Sequence, residues 1–447
     1  MGGFQLWLDR MCEYLPSLGW DVQVGFAQGK TFHDPVKFRK FYRHMEGIDI
    51  DGRDGTTAGR IVAVKKACRK VKPDIVIPVL LVDANMAVAM MKYEGQRVRH
   101  LYTYQGTHDW NIAEPERYAA FIDMCCGCNE LATQTLLKRG KFESSRLASV
   151  PNGVPQRIEP ATRPVQDGVL NLAYVGRIEH PDKRVFDIPG MLKVLDRLNV
   201  RYHLRIAGKG PQEAELLKRL SSQLQPGTFE HLGFLHFDEL HDKVYSKADV
   251  LLFPSPWEGW PLVVGEAISA GVVPAAAAFR GVASERVLIP EKNTLLYQVG
   301  DVEAAGVAIA KLHRDSNLLA KLSAAAYKTS LDYSWERSAK EWSQVLERTM
   351  ELPPVAGQAL PKRPGSSGSR MSSLGIPNPA QIALRRVLRR QMRHASGNAE
   401  WPYRDKDFGH AELAQMENDL LELEQRAISG WPAPYNLIKA LTRKESQ

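Results

Sequence analysis

Pro254-Ser255-Pro256-Trp257-Glu258-Gly259-Trp260-Pro261-Leu262-Val263-Val264-Gly265-Glu266-Ala267 follows the apolar run Asp249 to Phe253, and its reading decides the fold. An apolar run that breaks into a Gly/Pro loop and resumes in small apolar residues reads as strand, loop and helix. In open α/β sheets, ligands bind at the carboxyl ends of strands. Two carboxylates stand eight positions apart here, Glu258 in the loop and Glu266 inside the helix. Glu266 sits among Val263, Val264, Ala267 and Ile268, where an unpaired carboxylate is costly. Its partner is either a ligand hydroxyl or an Arg or Lys of the same domain. Pro261 has no N–H to give, which leaves Gly259, Trp260, Leu262 and Val263 as backbone donors.

The same alternation extends outward. Leu170 to Val175, Tyr202 to Ala207 and Val250 to Phe253 read as strands, with helices Pro189 to Leu198, Gln212 to Leu224 and Phe237 to Ala248 between them. Helices Val263 to Ala270, Ala304 to His313 and Trp335 to Met350 follow, the last capped by Ser334 with Trp335, Ala339, Trp342 and Leu346 on its buried face. The first strand ends on Gly176-Arg177, and Lys183 comes six residues later. A guanidinium fork and a point charge approaching from two sides suit a diphosphate. The alternative is an Arg/Lys pair bridged to Glu179 or Asp182. Gly208-Lys209-Gly210 ends the second strand, where glycines let a ligand approach the backbone and the next helix N-terminus favours anions.

The first 150 residues carry a second set. A helix from Phe4 to Leu15 leads to a strand at Asp21 to Phe26; a helix at Ile61 to Lys70 precedes the apolar run Asp74 to Leu80, and helix Ala84 to Tyr93 precedes Val98 to Tyr104. Short apolar runs between helices imply parallel strands covered on both faces. The chain opens at Gly2-Gly3 without an apolar strand before it. That first strand normally lies centrally in a doubly wound sheet, so the true start is expected upstream and a gap is expected in the N-terminal sheet. The turn cluster Pro151-Asn152-Gly153-Val154-Pro155 marks the domain joint.

Arg177 with Lys183, the Gly208-Lys209-Gly210 turn, Leu232-Gly233-Phe234-Leu235 and Glu258-x7-Glu266 occur in the order found in the donor domain of family 4 retaining glycosyltransferases, the group 1 glycosyl transferase domain, which Val169 to Leu346 closely resembles. The resemblance implies an α/β GT-B fold, with two Rossmann-like doubly wound domains facing across a cleft, here with a helical C-terminal extension. It implies metal-independent transfer of a sugar from a nucleoside diphosphate sugar, with retention and no other cofactor. By position, Arg177 and Lys183 would stabilise the leaving diphosphate, Glu266 would hold the ribose hydroxyls, Glu258 would contact the transferred sugar, and the backbone near Phe234 and Leu235 would meet the base. Glycine 208 would join the donor site. Relatives carry a His-Gly pair near the acceptor; here Gln105-Gly106 stands at that point with His108 beyond, so Gln105, His108 and Gly3 are the acceptor-side candidates. A nucleotide-sugar epimerase on the same fold and a non-catalytic nucleotide- or glycan-binding protein are the competing readings.

A chain of 447 residues exceeds one hydrophobic core. The expected division is 1–150 (acceptor side), 151–350 (donor domain and closing helix), 351–380 (Pro/Gly/Ser linker) and 381–447 (helical tail). Hydrophobic residues at 44% and charged residues at 25% are ordinary for a globular protein. The start does not read as a signal peptide, and no apolar stretch is long enough to span a bilayer. Cys125, Cys126 and Cys128 lack a second Cys/His pair at zinc spacing, and read as buried reduced thiols suited to a reducing cytoplasm. The formal charge of +8 concentrates between Leu352 and Ala399, a stretch without Asp or Glu. Nothing suggests a nucleic-acid groove. Within 381–395, Leu384, Val387, Leu388 and Met392 oppose Arg385, Arg386, Arg389, Arg390 and Arg393. That pattern suits peripheral contact with an anionic membrane surface on its inner face, and a glycan or lipid-linked acceptor; the alternative is a solvated helix resting its apolar face on the body.

Overall fold

The computed structural model describes residues 3–28, 35–52, 57–156, 168–225, 227–361, 376, 380, 383–384, 387–388 and 408–440. These fall into two compact units. The first comprises Met1–Gly127, Ala132–Val150 and Ala339–Met416; the second comprises Cys128–Leu131, Pro151–Ser338 and Glu417–Gln447.

The first unit opens with α1 (Gly3–Tyr14) and continues through β1 (Val24–Gln28), α2 (Pro35–Phe41), β2 (Gly47–Asp51), α3 (Thr57–Val71), β3 (Ile75–Val76), α4 (Val82–Tyr93), β4 (Arg99–Tyr104), α5 (Asp109–Arg117), β5 (Met124–Gly127), α6 (Glu130–Arg139) and β6 (Leu147–Ser149). Its strands form two separate parallel ladders, β1-β2 and β3-β4-β5-β6. The apolar run Asp74 to Leu80 yields only the two-residue β3, because Pro78 cannot donate to a ladder and Leu80 takes a positive φ of 54°. The cysteine run lies on β5 and just beyond it, with Cys125, Cys126 and Cys128 all buried and unbridged.

The second unit holds one continuous parallel sheet. Its strands are β7 (Leu170–Val175), β8 (Tyr202–Ala207), β9 (Phe229–Gly233), β10 (Val250–Phe253), β11 (Val273–Ala277) and β12 (Leu295–Tyr297). Their order is β12-β11-β10-β7-β8-β9. Helices α7 (Asp187–Arg197), α8 (Glu213–Gln223), α9 (Phe237–Lys243), α10 (Leu262–Ser269), α11 (Val282–Glu285), α12 (Val302–Arg314) and α13 (Ser316–Ser330) connect and cover it. On α7, Ile188, Met191, Leu192 and Leu195 are fully buried, the i, i+3, i+4, i+7 stripe of a helix packed on a core. Each such side chain contributes roughly 1.5–3 kcal/mol relative to exposure. The strand order reverses at β7, which lies between β8 and β10. That reversal opens a crevice at the strand carboxyl ends, and the loops leaving β7 and β10 beside it carry the Arg177/Lys183 and Glu258 motifs.

Two helices complete the chain: α14 (Trp335–Glu351) and one we number α15 (His410–Ser429). Ser334 Oγ accepts the Arg337 N–H at 3.0 Å, the cap expected from the sequence. Residues 362–375 and 377–379 of the expected linker lie outside the described residues. So do Arg385, Arg386, Arg389, Arg390, Met392 and Arg393 of the expected basic helix. Its described apolar members, Leu384, Val387 and Leu388, are exposed. No helix among the described residues is long and apolar enough to cross a membrane.

Candidate functional site

The loop after β7 and the loop after β8 pair with each other beyond the sheet. Gly176 N–H donates to Ala207 O at 3.0 Å and Ile178 N–H to Lys209 O at 3.1 Å. A Cβ on Gly208 would stand 1.9 Å from Gly176 O, and one on Gly210 would stand 2.0 Å from Ile178 O. Gly208 also holds φ at +153°. These glycines are therefore required by the approach of one backbone to another, a tighter demand than the ligand approach read from sequence.

Lys183 and Glu258 come together. Lys183 Nζ lies 2.6 Å from Glu258 Oε1, with both side chains largely shielded. Arg177 takes the other course: it pairs with Glu179 and lies 4.0 Å from Asp182, and its side chain is 55% exposed. The local salt bridge held open as an alternative is what forms. Tyr174, at the end of β7, donates its hydroxyl to Arg177 O at 2.6 Å. Burial raises its phenol pKa, Glu258 adds to that rise and Arg177 opposes it. The strand end thus feels both groups.

Glu266 is buried on α10. Tyr245 Oη donates to Glu266 Oε2 at 2.9 Å. Burial first, then Glu266, pushes the Tyr245 phenol well above its ordinary value, so the hydroxyl stays a donor. Tyr245 was missed from the sequence because it lies outside the motif, on the turn Tyr245–Lys247 before β10.

The segment Glu258-Gly259-Trp260 is braced from one side by Cys128–Leu131. Asn129 Nδ2 donates to Gly259 O at 2.7 Å. Burial, then Glu285, raises the Cys128 pKa. Glu285 Oε1 in turn accepts the Glu130 N–H at 2.7 Å. The Trp260 ring is buried and tilted against Tyr333 at 5.6 Å. Leu262 and Val263 open α10, where first-turn N–H groups have no helical acceptor. Leu235 is half-buried and Phe234 exposed after β9.

In the first unit, Gln105 Nε2 donates to Thr103 Oγ1 at 3.1 Å. His108 is exposed at the N-cap of α5 and stacks on Trp110 at 6.4 Å. Gly3 opens α1. Among the described residues, no group of three or more His, Cys, Asp or Glu side chains is placed to hold a metal ion.

Residues 158–329 match the family of Glycosyl transferases group 1. This segment is similar to a group 1 glycosyl transferase domain. An uncharacterized glycosyltransferase of Methanocaldococcus jannaschii is 28% identical over 190 residues, 42% of this chain and 47% of that protein. The chain spans about half the length of that curated relative. Among solved structures, sucrose-phosphate synthase from Thermosynechococcus elongatus superposes with a TM-score of 0.63 at 17% identity, over 78% of this chain and 93% of that one. Anabaena HepE in complex with UDP-glucose gives 0.60 at 16% identity, over 78% and 96%. At such identities the likeness carries the fold, the GT-B class that the domain's motifs imply.

Proposed function

We propose that the chain is a glycosyltransferase that moves a sugar from a nucleoside diphosphate sugar to an acceptor hydroxyl, with retention of configuration and without a metal ion. The observation that supports this best is the 2.6 Å contact of Lys183 with Glu258 across the loops of β7 and β10. A sugar diphosphate offers each of these groups a new partner, phosphate oxygens for Lys183 and sugar hydroxyls for Glu258. When the bond from the anomeric carbon to the phosphate oxygen breaks, its electron pair leaves with the phosphate. Lys183 stabilises that charge, joined by Arg177 once it turns from Glu179. Glu258 steadies the cationic sugar while the leaving phosphate assists attack on the same face. Glu266, already oriented by Tyr245, receives the ribose hydroxyls, and the Leu262 and Val263 N–H groups face phosphate at a helix N-terminus. The acceptor is a glycan or a lipid-linked sugar, reached through Gln105, His108 and Gly3, with the 381–395 segment giving peripheral contact to an anionic membrane. No observation favours the epimerase or the non-catalytic reading.

The test is release of nucleoside diphosphate from a panel of donors that begins with UDP-glucose, the ligand of the Anabaena neighbour. Wild type should turn over at least one donor, and Glu258→Ala should lose about 100- to 1,000-fold in kcat. Equal turnover by the two would end the assignment of Glu258.

A further inference from the structure

Arg280 follows β11, and its guanidinium is 1% exposed. It is held by α15. Nη1 and Nη2 meet Glu417 Oε2 and Oε1 at 3.0 and 2.5 Å, a fork-to-fork pairing that fixes the plane of the group. Nε lies 3.8 Å from Glu424 Oε2, while Glu424 Oε1 accepts the Gly281 N–H at 2.9 Å. The guanidinium carbon stands 4.1 Å from the centre of the Trp257 ring. The Arg280 N–H donates to Pro256 O at 3.0 Å, and Trp257 and Arg280 form a parallel bridge. Trp257 is the residue immediately before Glu258.

These contacts make a chain with a direction. The carboxylates of α15 hold a buried cation, the cation supports Trp257, and Trp257 leads into Glu258. A buried guanidinium deprived of its carboxylates cannot stay where it is without a heavy desolvation cost. Removing α15 therefore releases Arg280 toward water and takes the platform from under Trp257. On α15 itself, Leu413, Met416, Leu420, Glu424 and Ile428 are buried at helical spacing. The helix thus docks along an apolar stripe, with its acids at chosen places on it.

We propose that α15 is a strap that sets the Glu258 loop through Arg280, a positioning residue, with Glu417 as its counter-ion. This rests on the glycosyltransferase reading for its consequence in catalysis, but its mechanical part does not.

The experiment uses the full chain carrying Glu417→Gln, Arg280→Lys or Arg280→Met. Three readouts are taken: donor kcat and KM, nucleoside diphosphate affinity, and hydrogen exchange of the peptide spanning 254–262. A displaced loop should cut kcat about 10- to 100-fold. The nucleoside diphosphate Kd should stay within about threefold, and exchange of that peptide should rise. Arg280→Lys should recover part of what Arg280→Met loses. If Arg280→Met unfolds the chain, Glu417→Gln, which keeps shape and removes charge, still decides. Unchanged loop exchange in a folded variant overturns the strap, whatever the activity. Loss of nucleoside diphosphate affinity in parallel with kcat also overturns it, since that marks a structural role alone. Faster loop exchange in a chain inactive on every donor leaves the strap standing and sinks the transfer reaction.

Discussion

The two units bury charge in different ways. In the first, Lys92 pairs with Asp123 and Arg60 with Asp83, all four among the most shielded side chains of the chain. Asp123 also accepts the backbone N–H groups of His100 at 2.7 Å and Val355 at 3.0 Å. Charge there ties the interior together, under a sheet divided into two ladders. In the second unit the sheet is continuous, and its core is built from Leu, Ile, Val and Ala. Its charged pair Lys183–Glu258 joins two loops beyond the strand ends, and Arg280 in the loop after β11 pairs with Glu417 of α15. Buried charge is therefore structural glue in one unit. In the other, these two pairs lie beyond the strand ends.

The hardest way to break this contrast is Asp123→Ala. It strands Lys92, whose pKa burial already lowers against the pull of Asp123, and should cost about 3–5 kcal/mol in urea unfolding. Adding Lys92→Met should recover part of that loss; a change under about 1 kcal/mol in the single variant would make the pair ornamental. Lys183→Ala should behave oppositely. Donor turnover should fall about 100-fold, roughly 3 kcal/mol of barrier, while the urea midpoint hardly moves. Gly208→Ala separates framework from ligand within the second unit. A forced φ and a Cβ against Gly176 O should destabilise the ligand-free chain by roughly 1–3 kcal/mol. Intact stability with weakened nucleotide binding would restore the simpler ligand-approach reading.

The smallest effect is a pair of opposite pH slopes. His100 is depressed to about 3, by burial and then by Lys92, with a Phe121 hydrogen bond opposing. The unfolded chain binds a proton below its ordinary value while the folded chain refuses it, so stability falls as pH drops through the range near 6.5 toward 3. Glu424 is raised to about 7 by burial, with Arg280 and the Gly281 N–H opposing and Glu417 adding. Its contribution is complete below the unfolded carboxyl value and is lost as pH rises through about 7. Between about pH 5.5 and 7.5 each amounts to about 1–2 kcal/mol. Hydrogen exchange of β4 and α15, corrected for intrinsic rates, should show opposite trends. Glu424→Gln should flatten the second, and matching trends would erase the contrast.

Much of the second unit was legible. β7, β8 and β10 have the boundaries read from their apolar runs, since strands buried on both faces leave continuous hydrophobic segments. β9 and β11 did not announce themselves. Phe229–Gly233 is half-exposed and polar, and Val273–Ala277 contains Pro274 and three alanines, residues that carry little strand preference. Lys183 and Glu258 were each singled out from their motifs, but their pairing with each other was not read, and Arg177, read as the partner of Lys183, pairs with Glu179 instead. The site was also not legible where the partner lies far along the chain: Tyr245 to Glu266, Asn129 to Gly259, Glu417 to Arg280. Such pairings are fixed by packing, and no local spacing encodes them.

The place of Glu417 and Glu424 bears on modularity. The family match ends at residue 329, yet the anions that neutralise Arg280 come from α15. A segment excised at the match would lose the Glu417 and Glu424 contacts of that interior cation. The packing unit around Arg280 is therefore discontinuous in sequence, and moving it intact requires both pieces.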